Sequence, residues 1–561
     1  MRVVSINRRT VQRGTLAAAS GLLAGYTALA AAELTASLVR PQAGPVTVIG
    51  GAAIDRTPAA LKDFAIRTFG ENDKLVLQLG ILATVGLLAA LLGMFALRHR
   101  RTGAAGVLAF GALGAAAALS RPDAAGAADV LPSPVGAAAG ALVLYLLVGK
   151  VGGPTARPSG ADGAPPDTSA ETSAGTSTVA SPDDSTDDST GPSAVPSPAW
   201  NRRGFLLAAG ITAVASTGAG ALGRALTGRR GQGATASRAA VRLPAPASPA
   251  PPIPAGADLR IPVVSAFTTP NKEFYRVDTA LVVPKVDTDT WRLRIHGKGV
   301  SRPRSYSFAE LLQRPLIERD ITLTCVSNEV GGPYAGSARW LGVRLSDLLR
   351  EAGVRPPSRG GRADQLIARS VDAMTLGTPV EEVMDGRDAM LAVAMNGEPL
   401  PFEHGFPVRM VVPGLYGYVS ACKWIREIEL TTFDSYDPYW VKRGWARRAP
   451  IKTQARIDTP KPFARIPAGT VTVAGVAWAQ HRGIERVEVQ VDDGPWQEAS
   501  LAAQATTDTW RQWSFDWKAA PGGHRLTVRA TDGRGEVQTE LRTRTIPDGA
   551  SGRHGVFATV G

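Results

Sequence analysis

The chain has 561 residues, 62 Lys and Arg against 49 Asp and Glu, a formal net charge of +13, and only two cysteines, Cys325 and Cys422. This length predicts several domains, and the cysteine count excludes a disulfide-dense scaffold, a multi-cysteine zinc site and an iron–sulfur cluster held by this chain's cysteines alone. The basic excess comes with no motif that reads nucleic acid, so the expectation is no nucleic-acid partner; membrane flanks and pockets for phosphate or small anions account for it instead.

Residues 1–150 predict a membrane region with four transmembrane helices. Leu16 to Ala32 is apolar and follows Arg8, Arg9 and Arg13. Leu75 to Leu97 is of membrane length and ends at Arg98-His99-Arg100-Arg101. Gly103 to Leu119 and Pro134 to Val148 follow, the latter ending at Lys150. The alternative, a buried helical hairpin in a water-soluble core, sits poorly with four apolar segments that lack amphipathic faces. Residues 151–200 are Ser, Thr, Pro, Gly, Ala and Asp, and predict a disordered linker, because they offer too little apolar surface to offset ordering entropy. A fifth transmembrane helix is expected at 201–224, opening on Arg202-Arg203-Gly204-Phe205-Leu206. That start resembles a twin-arginine export signal. With the N-terminus inside, four spans return the chain to the cytoplasm and the fifth carries the rest out. The expectation is a multi-pass cell-membrane protein with its globular part on the extracytoplasmic side.

Residues 225–257 are Pro/Ala-rich towards their end and predict a stalk. Residues 258–448 predict an α+β domain. Its strand-like runs are Trp291 to Ile295, Ile321 to Cys325 and Val408 to Val412, with short helices at Phe308 to Gln313 and Leu345 to Ala352. Residues 449–546 alternate apolar and polar positions, as in Val471 to Trp478 and Val487 to Val491, with turns at Asp492-Asp493-Gly494 and Pro521-Gly522-Gly523. This spacing predicts an immunoglobulin-like β-sandwich.

Cys325 ends Ile321-Thr-Leu-Thr-Cys and precedes a Gly-rich loop with Gly331 and Gly332. A strand thus delivers a thiol into a loop. By spacing alone three fates stand open: a buried structural cysteine, a nucleophile, or a ligand for a soft metal whose other ligands come from a cofactor. A Cys325–Cys422 disulfide would use both thiols and competes with all three.

Four blocks occur in order across about 258–445. They are Thr269 to Arg276; Cys325-Val-Ser-Asn328 with Ala338-Arg-Trp-Leu-Gly342; Met395 to Leu400 with His404-Gly-Phe-Pro-Val-Arg409; and Pro413-Gly-Leu-Tyr-Gly417 with Lys423-Trp424. Together they resemble the sulfite oxidase superfamily of molybdopterin enzymes. The resemblance implies that Cys325 is the thiolate on a mononuclear molybdenum, beside the dithiolene of one molybdopterin. It further implies that Asn271, Tyr275, Arg276, Ser370, His404, Arg409 and Lys423 contact the cofactor. Arg409 suits phosphate, because a guanidinium forks onto two oxygens. The C-terminal sandwich resembles the family's dimerisation domain through Gly475 to Trp478, Gly483 to Val489 and Trp496, which implies a homodimer.

The chemistry so implied is two-electron oxygen-atom transfer. Arg276, Lys442 and Arg443 are the expected substrate-side cations, with sulfite as the leading substrate. Arg276 follows Phe274-Tyr275 directly, one position off the sulfite oxidase pattern, and the block Tyr439 to Trp445 carries Lys442 and Arg443 where that pattern has a tyrosine. A sulfoxide or N-oxide reductase of the same superfamily is therefore the alternative. A metal-free binding module and a membrane sensor or transporter are the rival classes. Spans that lack intramembrane charges argue against transport. His99, at a helix end, is the sole histidine of the membrane region, so paired haem ligands are missing there and a separate electron carrier is expected.

Overall fold

The computed structural model describes residues 8–57, 61, 68, 73–121, 127–151 and 202–561. The linker expected at 151–200 lies outside them beyond Val151, as does Asn201. The chain divides into two compact units, one of long helices and one containing Ala225–Gly561.

The long helices are α1 (Arg8–Val39), α2 (Pro45–Arg56), α3 (Asp73–Ala96), α4 (Arg100–Ser120), α5 (Pro132–Val151) and α6 (Arg202–Ala240). Among the described residues, all but α2 are long and apolar enough to cross a membrane. In lipid, apolar surface supplies no drive for helix association, so backbones must approach closely enough for dispersion and hydrogen bonding to act. Small residues allow this. A side chain at Gly21 would overlap the Ala89 carbonyl of α3, and one at Gly93 would overlap that of Ala17 on α1. Gly136 and Gly140 of α5 meet Ala28 and Ala24 of α1 in the same way. Thr27 and Ser216 share a hydroxyl hydrogen bond of 2.8 Å, and Tyr26 and Thr217 one of 3.0 Å, tying α1 to α6.

Helix α6 continues past the Arg224 expected from sequence to Ala240, so the first half of the expected stalk is helical. Ala, Gln and Arg sustain a helix there, and the first proline comes only at Pro244. The remainder lies against the globular domain. Ser248 bridges to Ile317 beside β3, and Ala257 is buried in the core.

The α+β domain contains β1 (Arg292–Gly297), β2 (Arg304–Ser307), β3 (Leu316–Thr324), β4 (Ala335–Arg344), β5 (Gln365–Ser370), β6 (Thr375–Pro379), β7 (Met390–Met395), β8 (Glu398–Pro399), β9 (Arg409–Val411) and β10 (Ile425–Thr431). One sheet has the order β2-β1-β10-β5-β6 and the other β3-β4-β7-β8, with β9 on β7. The helices α7 (Phe308–Leu312) and α8 (Leu345–Glu351) fall where expected. Ser307 caps α7 through a reciprocal bond with Glu310, satisfying two otherwise orphaned N–H groups.

The sandwich contains β11 (Gln454–Thr459), β12 (Ala464–Ile466), β13 (Gly469–Trp478), β14 (Ile484–Val491), β15 (Trp496–Glu498), β16 (Ser500–Leu501), β17 (Arg511–Ala519), β18 (Gly522–Asp532) and β19 (His554–Val560). Its sheets are β11-β13-β17-β16 and β12-β19-β18-β14-β15. The domain therefore does not stop at Ile546. The turn-rich Pro547 to Gly552 leads into His554-Gly-Val-Phe-Ala-Thr-Val560, whose alternation fills an interior strand position.

Trp513 is fully buried between the sheets, and its indole N–H has no hydrogen-bond partner. Its contribution is thus apolar contact. Trp513→Ala is expected to cost about 3–5 kcal/mol, and Trp513→Phe about 1 kcal/mol. Chemical denaturation followed by the sandwich's tryptophan fluorescence checks this, and an equal cost for both variants would contradict it.

Candidate active site

Strand β3 pairs with β4 along its whole length, from Leu316 opposite Val343 to Thr324 opposite Ala335. Pairing ends where Cys325 begins a tight loop. The Cys325 N–H donates to the Tyr334 carbonyl at 2.9 Å, and the Asn328 N–H donates to the Cys325 carbonyl at 3.0 Å. The buried Asn328 side chain accepts from the Tyr334 N–H at 2.8 Å. The loop is thereby closed on itself around the thiol. Both cysteines are free thiols, so the competing disulfide is not formed.

The Cys325 sulfur accepts from the Ser327 N–H at 3.4 Å. Burial pushes the Cys325 thiol up, while the Ser327 bonds and the Lys423 charge pull it down. Cys325 also acts on the Tyr275 and Tyr416 phenols, both raised mainly by burial. Residues from three of the four blocks thus gather around one sulfur.

Lys423 and Arg276 share one carboxylate. The Lys423 ammonium lies 3.1 Å and the Arg276 Nε 3.0 Å from the buried Asp278 Oδ2. Arg409 is buried under Trp340, its guanidinium 4.9 Å from the ring centroid, and it donates to the His404 carbonyl at 3.1 Å. Burial lowers the Arg409 pKa to about 10, against the raising effect of Tyr275 and Cys422. The guanidinium nevertheless stays charged at neutral pH. Arg409, Lys423 and Arg276 all act on His404, so positive charge gathers here, as suits an anion.

The loop Pro401 to Arg409 crosses the Cys422-Lys423-Trp424 segment closely. Gly405, at φ +111°, packs 3.1 Å from the Lys423 Cα as measured from an added Cβ, so a side chain there would force the two segments apart. This crossing brings His404 to Asn271. The His404 Nε2 lies 3.0 Å from the Asn271 carbonyl, which can only accept, so Nε2 carries the proton and Nδ1 presents a lone pair. That Nδ1 and the Arg409 Nε are both buried without a partner. One unfilled acceptor and one unfilled donor make a site for a molecule that offers both, and a pterin with its phosphate does. Among the described residues no three His, Cys, Asp or Glu side chains converge to hold a metal. A metal at Cys325 therefore needs ligands that a cofactor brings.

The other expected residues are more loosely tied to this centre. Asn271 bonds Met395, Glu398 and Asn396. The Ser370 hydroxyl is engaged with Asp372 and with the Met374 carbonyl in its own turn. Lys442 is exposed over the Tyr436 ring, and the Arg443 guanidinium stacks 3.5 Å from the Tyr439 ring centroid. Sequence reasoning missed Asp278, Ser327 and Tyr416. Asp278 sits two residues after Arg276, and a carboxylate beside an expected anion-binding cation was the available signal.

Burial lowers the His404 pKa from 6.5 to about 4, reinforced by Arg409, Lys423 and Arg276 and opposed by the Asn271 carbonyl. Between these values the unfolded chain binds the extra proton and the folded chain does not, so stability falls as pH falls. The unfolding temperature is expected to drop from pH 6.5 to pH 4, less steeply for His404→Gln. Parallel slopes for the two proteins in scanning calorimetry would show that His404 is not buried neutral.

Comparison with known proteins agrees with this geometry. The family described as "Oxidoreductase molybdopterin binding domain" matches residues 280–440, and "Bacterial Ig domain" matches 454–528. Sulfite oxidase of Gallus gallus is 32% identical over 320 residues, covering 49% of this chain and 68% of that protein. Mitochondrial sulfite oxidase of Mus musculus is 30% identical over 324 residues, covering 50% of this chain and 58% of that protein. The chain thus spans little more than half of the mammalian relatives it matches. The sulfane dehydrogenase SoxCD structure from Paracoccus pantotrophus aligns with TM-score 0.45 and 26% identity, covering 52% of this chain and 80% of that one. With its thiol, its cation cluster and a relative matched over two thirds of its length, the chain belongs to the sulfite oxidase superfamily of molybdopterin-binding oxidoreductases.

Proposed function

We propose that the chain is a membrane-anchored molybdenum-pterin oxidoreductase that transfers an oxygen atom to or from a small sulfur compound, with sulfite oxidation as the leading reaction. The observation that carries this reading is the buried Cys325 thiol, linked through Tyr275 and Lys423 to two unfilled polar atoms, His404 Nδ1 and Arg409 Nε. Cys325 would hold the metal. Arg409, His404, Lys423, Arg276, Asn271 and Tyr275 would hold the pterin and its phosphate, with Ser370 at the edge. When bound, the cofactor supplies the two-electron redox change and the oxygen atom to be exchanged.

The chain's own residues do the rest. Lys423 lowers the cost of the thiolate, and Ser327 donates to it. Asp278 fixes Lys423 and Arg276 in place and leaves part of their positive charge for an anion. Trp340 and Phe274 cover the Arg409–His404 pair and keep water from it. Arg276, Lys442 and Arg443 are proposed to draw in the substrate oxoanion, with sulfoxide or N-oxide reduction as the alternative within the superfamily. Electrons pass to or from a separate carrier. The five apolar helices anchor the enzyme with its catalytic domain outside the cytoplasm, and the sandwich supports a homodimer.

Wild-type protein is expected to purify with about one molybdenum per chain, and Cys325→Ser with almost none. Elemental analysis checks this, and unchanged metal in the variant would remove Cys325 from the metal. Arg409→Met is expected to weaken cofactor retention about tenfold or more, through loss of a buried charged donor. Assays with sulfite, methionine sulfoxide and trimethylamine N-oxide then separate the substrates.

A further inference from the structure

The segment that delivers Cys325 is gripped from the sandwich as well as from its own sheet. Before the thiol, the buried Gln480 donates to the Thr322 carbonyl and to the Thr324 hydroxyl, each at 3.0 Å. The Thr322 N–H donates to the Asp508 carbonyl at 2.9 Å, and its hydroxyl accepts from the Trp510 N–H at 2.8 Å. After the thiol, two sandwich side chains reach the Gly-rich loop. Arg456, only 7% exposed, donates to the Gly332 carbonyl at 2.8 Å. Its other nitrogens are held by Asp458 at 2.6 Å and Ser265 at 2.7 Å, so the guanidinium plane is fixed. His554 is fixed in turn, its Nδ1 accepting from the Ile457 N–H at 3.0 Å. The His554 ring packs against Gly331, at φ +82°, so closely that any side chain at 331 would overlap it.

We propose that the C-terminal sandwich sets the position of the Cys325 thiol, with Arg456 and His554 as positioning residues acting through Gly332 and Gly331. The proposal rests on the reading of Cys325 as the metal ligand. The Gly331–Gly332 turn has many accessible conformations, and the bonds within the loop fix it only in part. Arg456 removes one freedom by a charged hydrogen bond and His554 another by steric contact. Neither residue touches the sulfur, so their effect on the metal passes through the backbone of 329–332.

The test compares full-length wild type with Arg456→Gln, Arg456→Lys, His554→Ala and a control, Arg529→Gln, whose partner Glu488 lies on the neighbouring strand β14 rather than on the Gly331–Gly332 loop. Metal-free protein is treated with iodoacetamide, and labelling of Cys325 and Cys422 is read separately by peptide mass spectrometry. Both thiols are buried, so Cys422 reports general loosening within the same molecule. Arg456→Gln and His554→Ala are expected to speed labelling of Cys325 about tenfold or more and leave Cys422 unchanged. Arg456→Lys should fall between, and serves in place of Arg456→Gln if the latter does not fold. In molybdenum-loaded protein the same variants should shift the electron paramagnetic resonance line shape of the partly reduced metal, while Arg529→Gln should not. Cys325 labelling at the wild-type rate, or a parallel rise at both cysteines, overturns the proposal. A wild-type protein that binds no molybdenum overturns the reading of the site instead, and the labelling comparison still decides the clamp.

Discussion

A thiol at the end of a strand has a defined position only if the strand is held on both edges and the chain beyond it cannot drift. Strand β3 meets the first condition through β4 on one edge and through Thr322, which bonds Asp508 and Trp510, on the other. Asn328 meets the second from inside the loop, and Arg456 and His554 meet it from outside. Everything else at the site is arranged around that fixed sulfur. The tyrosines that feel it, Tyr275 and Tyr416, come from chain segments that no local pattern links.

Charge is apportioned around this point in a way that burial alone would not favour. Arg409 is enclosed, and Lys423 and Arg276 both pair with Asp278. A buried cation without full compensation is costly. His404 limits the cost by staying neutral near physiological pH, since burial first, and then the charges of Arg409 and Lys423, disfavour its proton. Remaining positive potential then serves an anionic ligand, and the low local dielectric strengthens that attraction.

The sequence carried some of this in plain form and the rest hardly at all. Alternating runs located β13, β14, β17 and β18, and the five apolar segments located the long helices other than α2, because periodicity and length are local properties. The roles proposed for His404, Arg409 and Lys423 were legible only through the order of motif blocks. Nothing near each of them separates a ligand contact from a core salt bridge. Arg456 and His554 were not legible, because each acts across a large sequence separation, reaching Gly332 and Gly331, and the same holds for the reach of Asp278 to Lys423, though not for its pairing with Arg276 two residues before. The sandwich's last strand was missed for a related reason. A seven-residue run after a glycine-rich turn looks like a tail until its partners β12 and β18 are in place. The helix through Ala240 was missed because Gly and Arg within it resembled the stalk that follows.

The two unfilled atoms at His404 and Arg409 join folding to loading. A buried polar atom left without its bond costs roughly 1–3 kcal/mol. The metal-free fold bears that cost twice, at His404 Nδ1 and Arg409 Nε. A ligand that supplies a donor to one and an acceptor to the other recovers both terms, and it binds only the folded chain. It therefore stabilises the fold by mass action as well as by contact. The thiol adds to this coupling, since burial disfavours its bare anion and a bound cation removes that penalty. The centre would thus be most stable with the proposed cofactor in place.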